Sequence, residues 1–305
     1  VGLFILTLYK LEYGLLAVAG ELLIGSMGRL FSLEIGGFSL SIRMAFWLVF
    51  LLVFIGKFIV NLRQEGLGGK YLQAIKDFHF LKYFLVLAIF IILGIINATF
   101  KGNSWNLVFS DFNGWLYFLL LFPTIIVCTL EKEKSLKNIK ILFFISFLWL
   151  SLKTFLLLYV FTHSLSFSSE VYFWLRKTLV GEMTNTLSGW PRIFIQGQIF
   201  AAAGLFFSFW QNFKIKKNDY LKKTINFLLA SLFAGVLLIS FSRSFWLALI
   251  LVLAFIIILA AKLYSWKKMF LTAVWTGLVF AGAFSLLYLT TVIPWPRSGN
   301  FNVDF

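Results

Sequence analysis

No ionisable side chain stands between Arg243 and Lys262. A helix needs about 20 apolar residues to cross a bilayer, and in hydrocarbon every backbone N–H and C=O must find its partner within the segment. Comparable apolar runs recur over 44–60, 83–100, 115–130, 141–161, 193–210, 225–241 and 270–292. Residues 1–28, apolar apart from Lys10, Glu12 and Glu21, add one helix, or the tail of one and a shallow second. With 61% hydrophobic and 13% charged residues, no soluble core hides this much apolar surface. The expectation is an all-α, polytopic transmembrane helical bundle of roughly nine spanning helices, forming a single membrane domain over 1–305.

The net charge of +15 is not that of a nucleic-acid binder, because the basic residues fall in short clusters between apolar runs, where they set topology. Summing alternate connections separates two sets. One holds Lys10, Arg63, Lys70, Lys76, Lys82, the four lysines of 132–140, the five of 214–223, Lys262, Lys267 and Lys268. The other holds Arg29, Arg43, Lys101, Arg176, Lys177, Arg192, Arg243 and Arg297. The first and larger set is expected on the cytoplasmic side. It is almost all lysine, whereas the outer set is mostly arginine, whose planar fork of donors suits phosphate and carboxylate. The single Cys128 excludes a disulfide within the chain, and His79 and His163 are too few and too far apart for a metal cluster. Neither a cofactor nor a metal is expected.

The chain starts at Val1 inside an apolar run and stops at Phe305 soon after another, which reads as a fragment of a longer protein. Its longest connection, the outer-side loop 162–191, carries Glu170, Arg176, Lys177, Glu182, Asn185 and Trp190 and is long enough to do more than turn the chain. A second outer loop begins at 293–305 with Pro294, Pro296 and Arg297.

Arg192 and Arg243 each stand at the outer mouth, where a helix is expected to begin. Arg192 and Gln196, four apart, would share a helix face, and Gln198 adds a further amide that lipid alone does not favour. Free N–H groups and the helix dipole favour an anion at a helix N-terminus, so two such sites on one side suit a pyrophosphate. Taken singly, an arginine at a membrane boundary is more often an interfacial anchor. Lys153, inside an apolar run, has Ser151 and Thr154 as polar neighbours and reads as structural. Asp111 and Glu182 are outer carboxylates placed to act as a base, although acids in loops are common.

The opening Ser242-Arg243-Ser244-Phe245-Trp246-Leu247-Ala248, together with Pro191-Arg192-Ile193-Phe194 leading into Gln196-Gly197-Gln198, resembles the O-antigen ligase and O-antigen polymerase superfamily of bacterial envelope glycosyltransferases. The likeness extends over most of the chain in hydropathy, with two short motifs as its specific part. It implies a multi-pass protein of the bacterial inner membrane, acting in lipopolysaccharide and polysaccharide biosynthesis. Such an enzyme moves a glycan from an undecaprenyl-pyrophosphate carrier to a glycolipid or glycan acceptor, without a metal. It gives Arg192 and Arg243 the donor pyrophosphate as catalytic residues, with Gln196, Gln198 and Arg297 binding substrate. The family's large outer loop, with further basic residues and a histidine, would begin where the chain stops, and His163 does not take that histidine's role. Two other readings remain: a transporter or flippase of an anionic glycolipid, which would be expected to show paired internal repeats that are not seen here, and a structural membrane subunit.

Overall fold

The computed structural model describes residues 1–24, 32–35, 38–130, 132–185, 190–215, 218–263 and 266–292. Two compact units form, Val1–Glu21 with Glu34–Ile141, and Leu22–Leu33 with Leu142–Phe305. In order, the elements are α1 (Gly2–Tyr9), α2 (Leu11–Ile24), β1 (Ser32–Ile35), β2 (Phe38–Ser41), α3 (Ile42–Glu65), α4 (Lys70–Lys76), α5 (Leu81–Phe100), α6 (Trp105–Leu116) and α7 (Leu121–Leu130). The rest are α8 (Lys132–Thr162), α9 (Ser168–Thr178), β3 (Gly181–Asn185), β4 (Pro191–Ile195), α10 (Phe200–Lys214), α11 (Tyr220–Ile239), α12 (Arg243–Leu263) and α13 (Trp266–Thr290).

Among the described residues, six helices are long and apolar enough to cross a membrane: Ile42–Glu65, Leu81–Phe100, Leu107–Leu130, Lys132–Thr162, Tyr220–Ile239 and Met269–Thr290. The chain is a helical, multi-pass membrane protein. The first segment takes the two-helix form of the expectation, divided at Lys10, whose extended backbone separates α1 from α2. The segment expected as a helix over 193–210 starts instead as a strand, and its helix begins only at Phe200. The run after Arg243 is a helix as expected, with Arg243–Leu259 as its described apolar part.

In the first unit the break at Lys10 is tied down by side chains. A helix leaves its last carbonyls without intrahelical donors. Lys57 of α3 supplies one, donating through Nζ to the carbonyl oxygen of Leu8 at 2.7 Å. Buried Glu12 is met by Lys10 Nζ at 2.7 Å and accepts from Asn138 Nδ2 at 2.8 Å. Arg43 Nε donates to Glu21 at 2.9 Å.

In the second unit α11 is the central element, with Ala230, Phe233, Ala234, Val236 and Leu237 buried. Small residues let its neighbours approach, as membrane helices require where water provides no driving force between them. A Cβ added to Gly204 of α10 would stand 3.0 Å from the Phe233 ring, and one on Gly235 would stand 2.7 Å from the Phe155 ring of α8. Asn226 Nδ2 donates to the Ser208 carbonyl at 2.8 Å, joining α11 to α10, while Phe209 meets Trp275 of α13 edge-on at 4.6 Å. Lys214, Lys222, Lys223, Lys262 and Lys267 sit about the α10–α11 and α12–α13 turns. The α8–α10 connection and the α11–α12 corner instead carry Arg176, Arg192 and Arg243. This unit therefore has a lysine-rich end and an arginine-bearing end.

Candidate functional site

The arginine-bearing end is built on a hairpin. β3 pairs antiparallel with β4, with Glu182 opposite Phe194, Met183 opposite Ile193 and Thr184 opposite Arg192. Period-two alternation sends Pro191, Ile193 and Ile195 into the core and leaves Arg192 and Phe194 half-buried on the other face. Glu182 and Thr184, the cross-strand partners, belong to that second face. Gly181 is required by close approach: an added Cβ would stand 2.5 Å from the carbonyl oxygen of Phe194.

The second face meets the α11–α12 corner. Phe194 packs on Phe245, ring centroids 5.4 Å apart, and Arg192 Nε donates to the carbonyl oxygen of Ser240 at 2.9 Å. Buried Ser240 holds the corner: its hydroxyl donates to Leu237 at 2.7 Å and accepts from the Ser242 N–H at 3.2 Å. Between them Phe241 adopts φ +44°, a left-handed backbone that costs an L-residue about 1–2 kcal/mol. After this strained residue α12 opens at Arg243, which is exposed. Arg192 and Arg243, 51 positions apart in the sequence, thus belong to one corner of the fold.

The glutamines sit otherwise than expected. Arg192 is a strand residue, and Gln196 and Gln198 lie in the turn to α10, so no helix face is shared. The pairing of Pro191–Ile195 with Gly181–Asn185 holds Ile193-Phe194-Ile195 as a strand, and Gly197 at φ +77° turns the chain before α10. Gln198, 1% exposed, accepts from the Ile195 N–H at 3.0 Å through Oε1 and donates through Nε2 to the Val236 carbonyl at 2.8 Å. Its amide braces the turn against α11. Gln196 is half-buried, and its N–H donates to the Val180 carbonyl at 3.1 Å. Arg297 lies outside the described residues. Ser151 and Thr154, the polar neighbours of Lys153, donate to carbonyls of their own helix, Phe147 and Leu150, each at 2.8 Å.

A further feature escaped the sequence reading. Within the 162–191 connection, α9 and the first strand of the hairpin border, with Phe161 of α8, an open cleft of about 470 Å³. Ser168, Ser169, Tyr172, Arg176 and Thr184 supply its polar lining. The Arg176 guanidinium lies 5.4 Å from the Tyr172 ring centroid, within cation–π range. The available signal was the i, i+4 spacing of Tyr172 with Arg176 and of Val171 with Leu175, which gives α9 one wet and one dry face. Thr184 joins the cleft to the corner, since it faces Arg192 across the ladder. Chemically, this end offers planar cationic donors for an anion beside hydroxyls and an aromatic ring for a polyol. Among the described residues no group of three or more His, Cys, Asp or Glu is placed to hold a metal ion.

The fold and this end together define a multi-pass membrane protein with a polar, arginine-bearing mouth. Comparison with protein-family models, curated proteins and solved structures gives no match.

Proposed function

We propose that the protein is a membrane glycan transferase that takes an oligo- or polysaccharide from a polyprenyl-pyrophosphate carrier and passes it to a glycolipid or glycan acceptor at the arginine-bearing face. The observation that carries this reading is the bond from Arg192 to the Ser240 carbonyl, which joins Arg192 to the corner where Arg243 opens α12. The Ser-Arg-Ser helix opening and its resemblance to O-antigen ligases and polymerases support the same chemistry, in the bacterial inner membrane.

In this reading an acceptor hydroxyl attacks the anomeric carbon and a new glycosidic C–O bond forms. The bond from that carbon to the pyrophosphate oxygen breaks, with inversion, and the carrier pyrophosphate leaves with the electron pair. Arg192 and Arg243 neutralise the charge that grows on it, and one such preorganised donor is worth about 3–4 kcal/mol in a site that excludes water. Glu182, exposed on the face of the hairpin that carries Arg192, takes the hydroxyl proton. The cleft of α9 and β3 receives the acceptor through Ser168, Ser169 and Tyr172.

The test is transfer from a polyprenyl-pyrophosphate-linked glycan in membranes carrying the full chain. Arg192→Ala and Arg243→Ala each abolish transfer while membrane insertion is unchanged. Full activity in both variants overturns the mechanism.

A second reading, transport of an anionic glycolipid, is favoured by one observation, the interruption of the first apolar segment at Lys10. Movement of a labelled glycolipid across vesicles containing the purified chain, without any change in its glycan, would decide for it.

A further inference from the structure

Arg176 lines the cleft beside α9 and β3, and the transfer chemistry gives it no role. The helix that carries it is fixed by its dry side, where Leu175 is 1% exposed and Val171 packs on the same core. Leu179, in a left-handed conformation at φ +52°, ends α9, and the chain returns so that β3 packs along it. Ser168, Tyr172 and Arg176 recur at every fourth position, which makes them one ridge of α9, and all three line the cleft. The ridge begins with a hydroxyl and ends with a guanidinium.

The cation has donors to spare. Among the described residues Arg176 has no carboxylate in ion-pair range, and its guanidinium rests 5.4 Å from the Tyr172 ring centroid. A ring contact of this kind uses a face of the guanidinium and leaves the N–H fork, which lies in its plane, for an anion. Arg176 is exposed, so that fork is open to a ligand. No acid lines the cleft: Glu170 and Glu182, exposed on the same two elements, are not among its lining residues. The rest of the polar lining is hydroxyl. Ser168, Ser169 and Thr184 both donate and accept, as the hydroxyls of a sugar do, and a bare anion would leave them unused. Half-buried Phe161 and Met183 add an apolar patch for the C–H face of a sugar ring.

We infer that this cleft binds an acidic sugar, a pyranose whose carboxylate or phosphate is held by the Arg176 fork while its hydroxyls meet Ser168, Ser169 and Thr184. The volume of about 470 Å³ lies in the range of small-ligand sites, and one or two sugar rings fit it. That this sugar is the end of the acceptor rests on the transfer reading. Its binding does not.

The experiment is saturation-transfer NMR on the full chain in deuterated detergent, titrated with methyl glucuronide and, separately, methyl glucoside, with no glycan donor present. Salt at about 0.15 M screens the general attraction of a chain of charge +15 for any anion. The glucuronide should bind at least about tenfold more tightly, the scale of a charge-assisted bidentate pair. Arg176→Gln should bring the glucuronide down to the affinity of the glucoside and leave the glucoside unchanged. Ser169→Leu, at an exposed position, should weaken both sugars by the same factor of about five, the loss of one hydrogen bond. Melting temperatures of both variants should match the wild type, which separates lost contacts from misfolding. Equal affinities in the wild type overturn the proposal, as does a preference that survives Arg176→Gln. Displacement of the glucuronide by an equal concentration of inorganic phosphate would make this a free-anion site and also overturns it. Because no donor is present, failure of the transfer reading leaves each of these outcomes as it stands.

Discussion

Arg192 donates through Nε to the carbonyl oxygen of Ser240 at 2.9 Å, and three residues later the chain presents Arg243 at the start of α12. The two arginines therefore differ in kind. Arg192 is half-buried and holds the corner, whereas Arg243 is exposed. Arg192→Met should lower stability by about 2 kcal/mol, the range for losing a charged hydrogen bond. Arg243→Ala should leave the melting temperature unchanged while abolishing transfer. Thermal unfolding in detergent, read beside the transfer assay, checks both.

Replacing Arg192 by Lys keeps the charge but loses the planar fork, which bonds Ser240 through Nε and leaves its terminal nitrogens for an anion. Transfer should fall by about a hundredfold, the scale for loss of one oriented donor to a developing anion. A Lys variant as active as the wild type would mean that charge alone is needed. Initial rates at saturating donor decide this.

Gln198→Leu removes an acceptor from the Ile195 N–H and a donor from the Val236 carbonyl, both within the buried turn. Each orphaned group costs about 1–3 kcal/mol, so the loss should be several times that of an exposed substitution. Chemical denaturation in mixed micelles measures it. Gln198→Glu should not rescue the protein, because a carboxylate has no N–H for Val236.

Glycine substitutions should separate packed from open helix surfaces. Gly235→Ala drives a Cβ to 2.7 Å from the Phe155 ring, and a forced fit of this kind costs about 1–3 kcal/mol. Gly94→Ala and Gly277→Ala meet nothing within 4 Å and should be neutral or stabilising by up to about 1 kcal/mol through helix propensity. Melting temperatures of the three variants, compared in one detergent, give the order.

At the lysine-rich end, Asp219 caps α11 by accepting from the Lys222 N–H at 3.2 Å. Hydrogen bonds from the Lys222 side chain and backbone hold its carboxyl below the ordinary carboxylate range. Because the folded-state value is depressed, the cap's contribution is present above the unfolded value of about 3.9 and is lost as pH falls through the folded value. The melting temperature of the wild type should drop more steeply below about pH 4 than that of Asp219→Asn, which keeps an acceptor but does not titrate. Parallel slopes would remove Asp219 from the acid response.

Several elements were plain from hydropathy. The runs 83–100, 225–241 and 270–292 correspond to α5 Leu81–Phe100, α11 Tyr220–Ile239 and α13 Trp266–Thr290 within a few residues. Long uninterrupted apolar segments have few alternatives in a bilayer. The run beginning at Ile193 was ambiguous, because three apolar residues flanked by polar ones fit a strand or a helix equally until a partner strand is known. The pairing with Gly181–Asn185 supplied that partner. Gln198 illustrates the same limit: a glutamine in an apolar run signals a need for partners, and its sequence neighbours do not reveal that the partners are Ile195 and Val236.

What the sequence determined alone was embedding in a membrane and the division of its basic residues into a lysine-rich and an arginine-rich set. Both follow from one-dimensional quantities, the length of apolar runs and the order of charges between them, which a bilayer reads directly. What only the tertiary structure decided was the corner itself. The Arg192–Ser240 bond spans 48 positions, and the Gln198 amide meets a carbonyl 38 positions away. Periodicity records that a residue is buried, and only the folded chain determines which donor or acceptor it meets there.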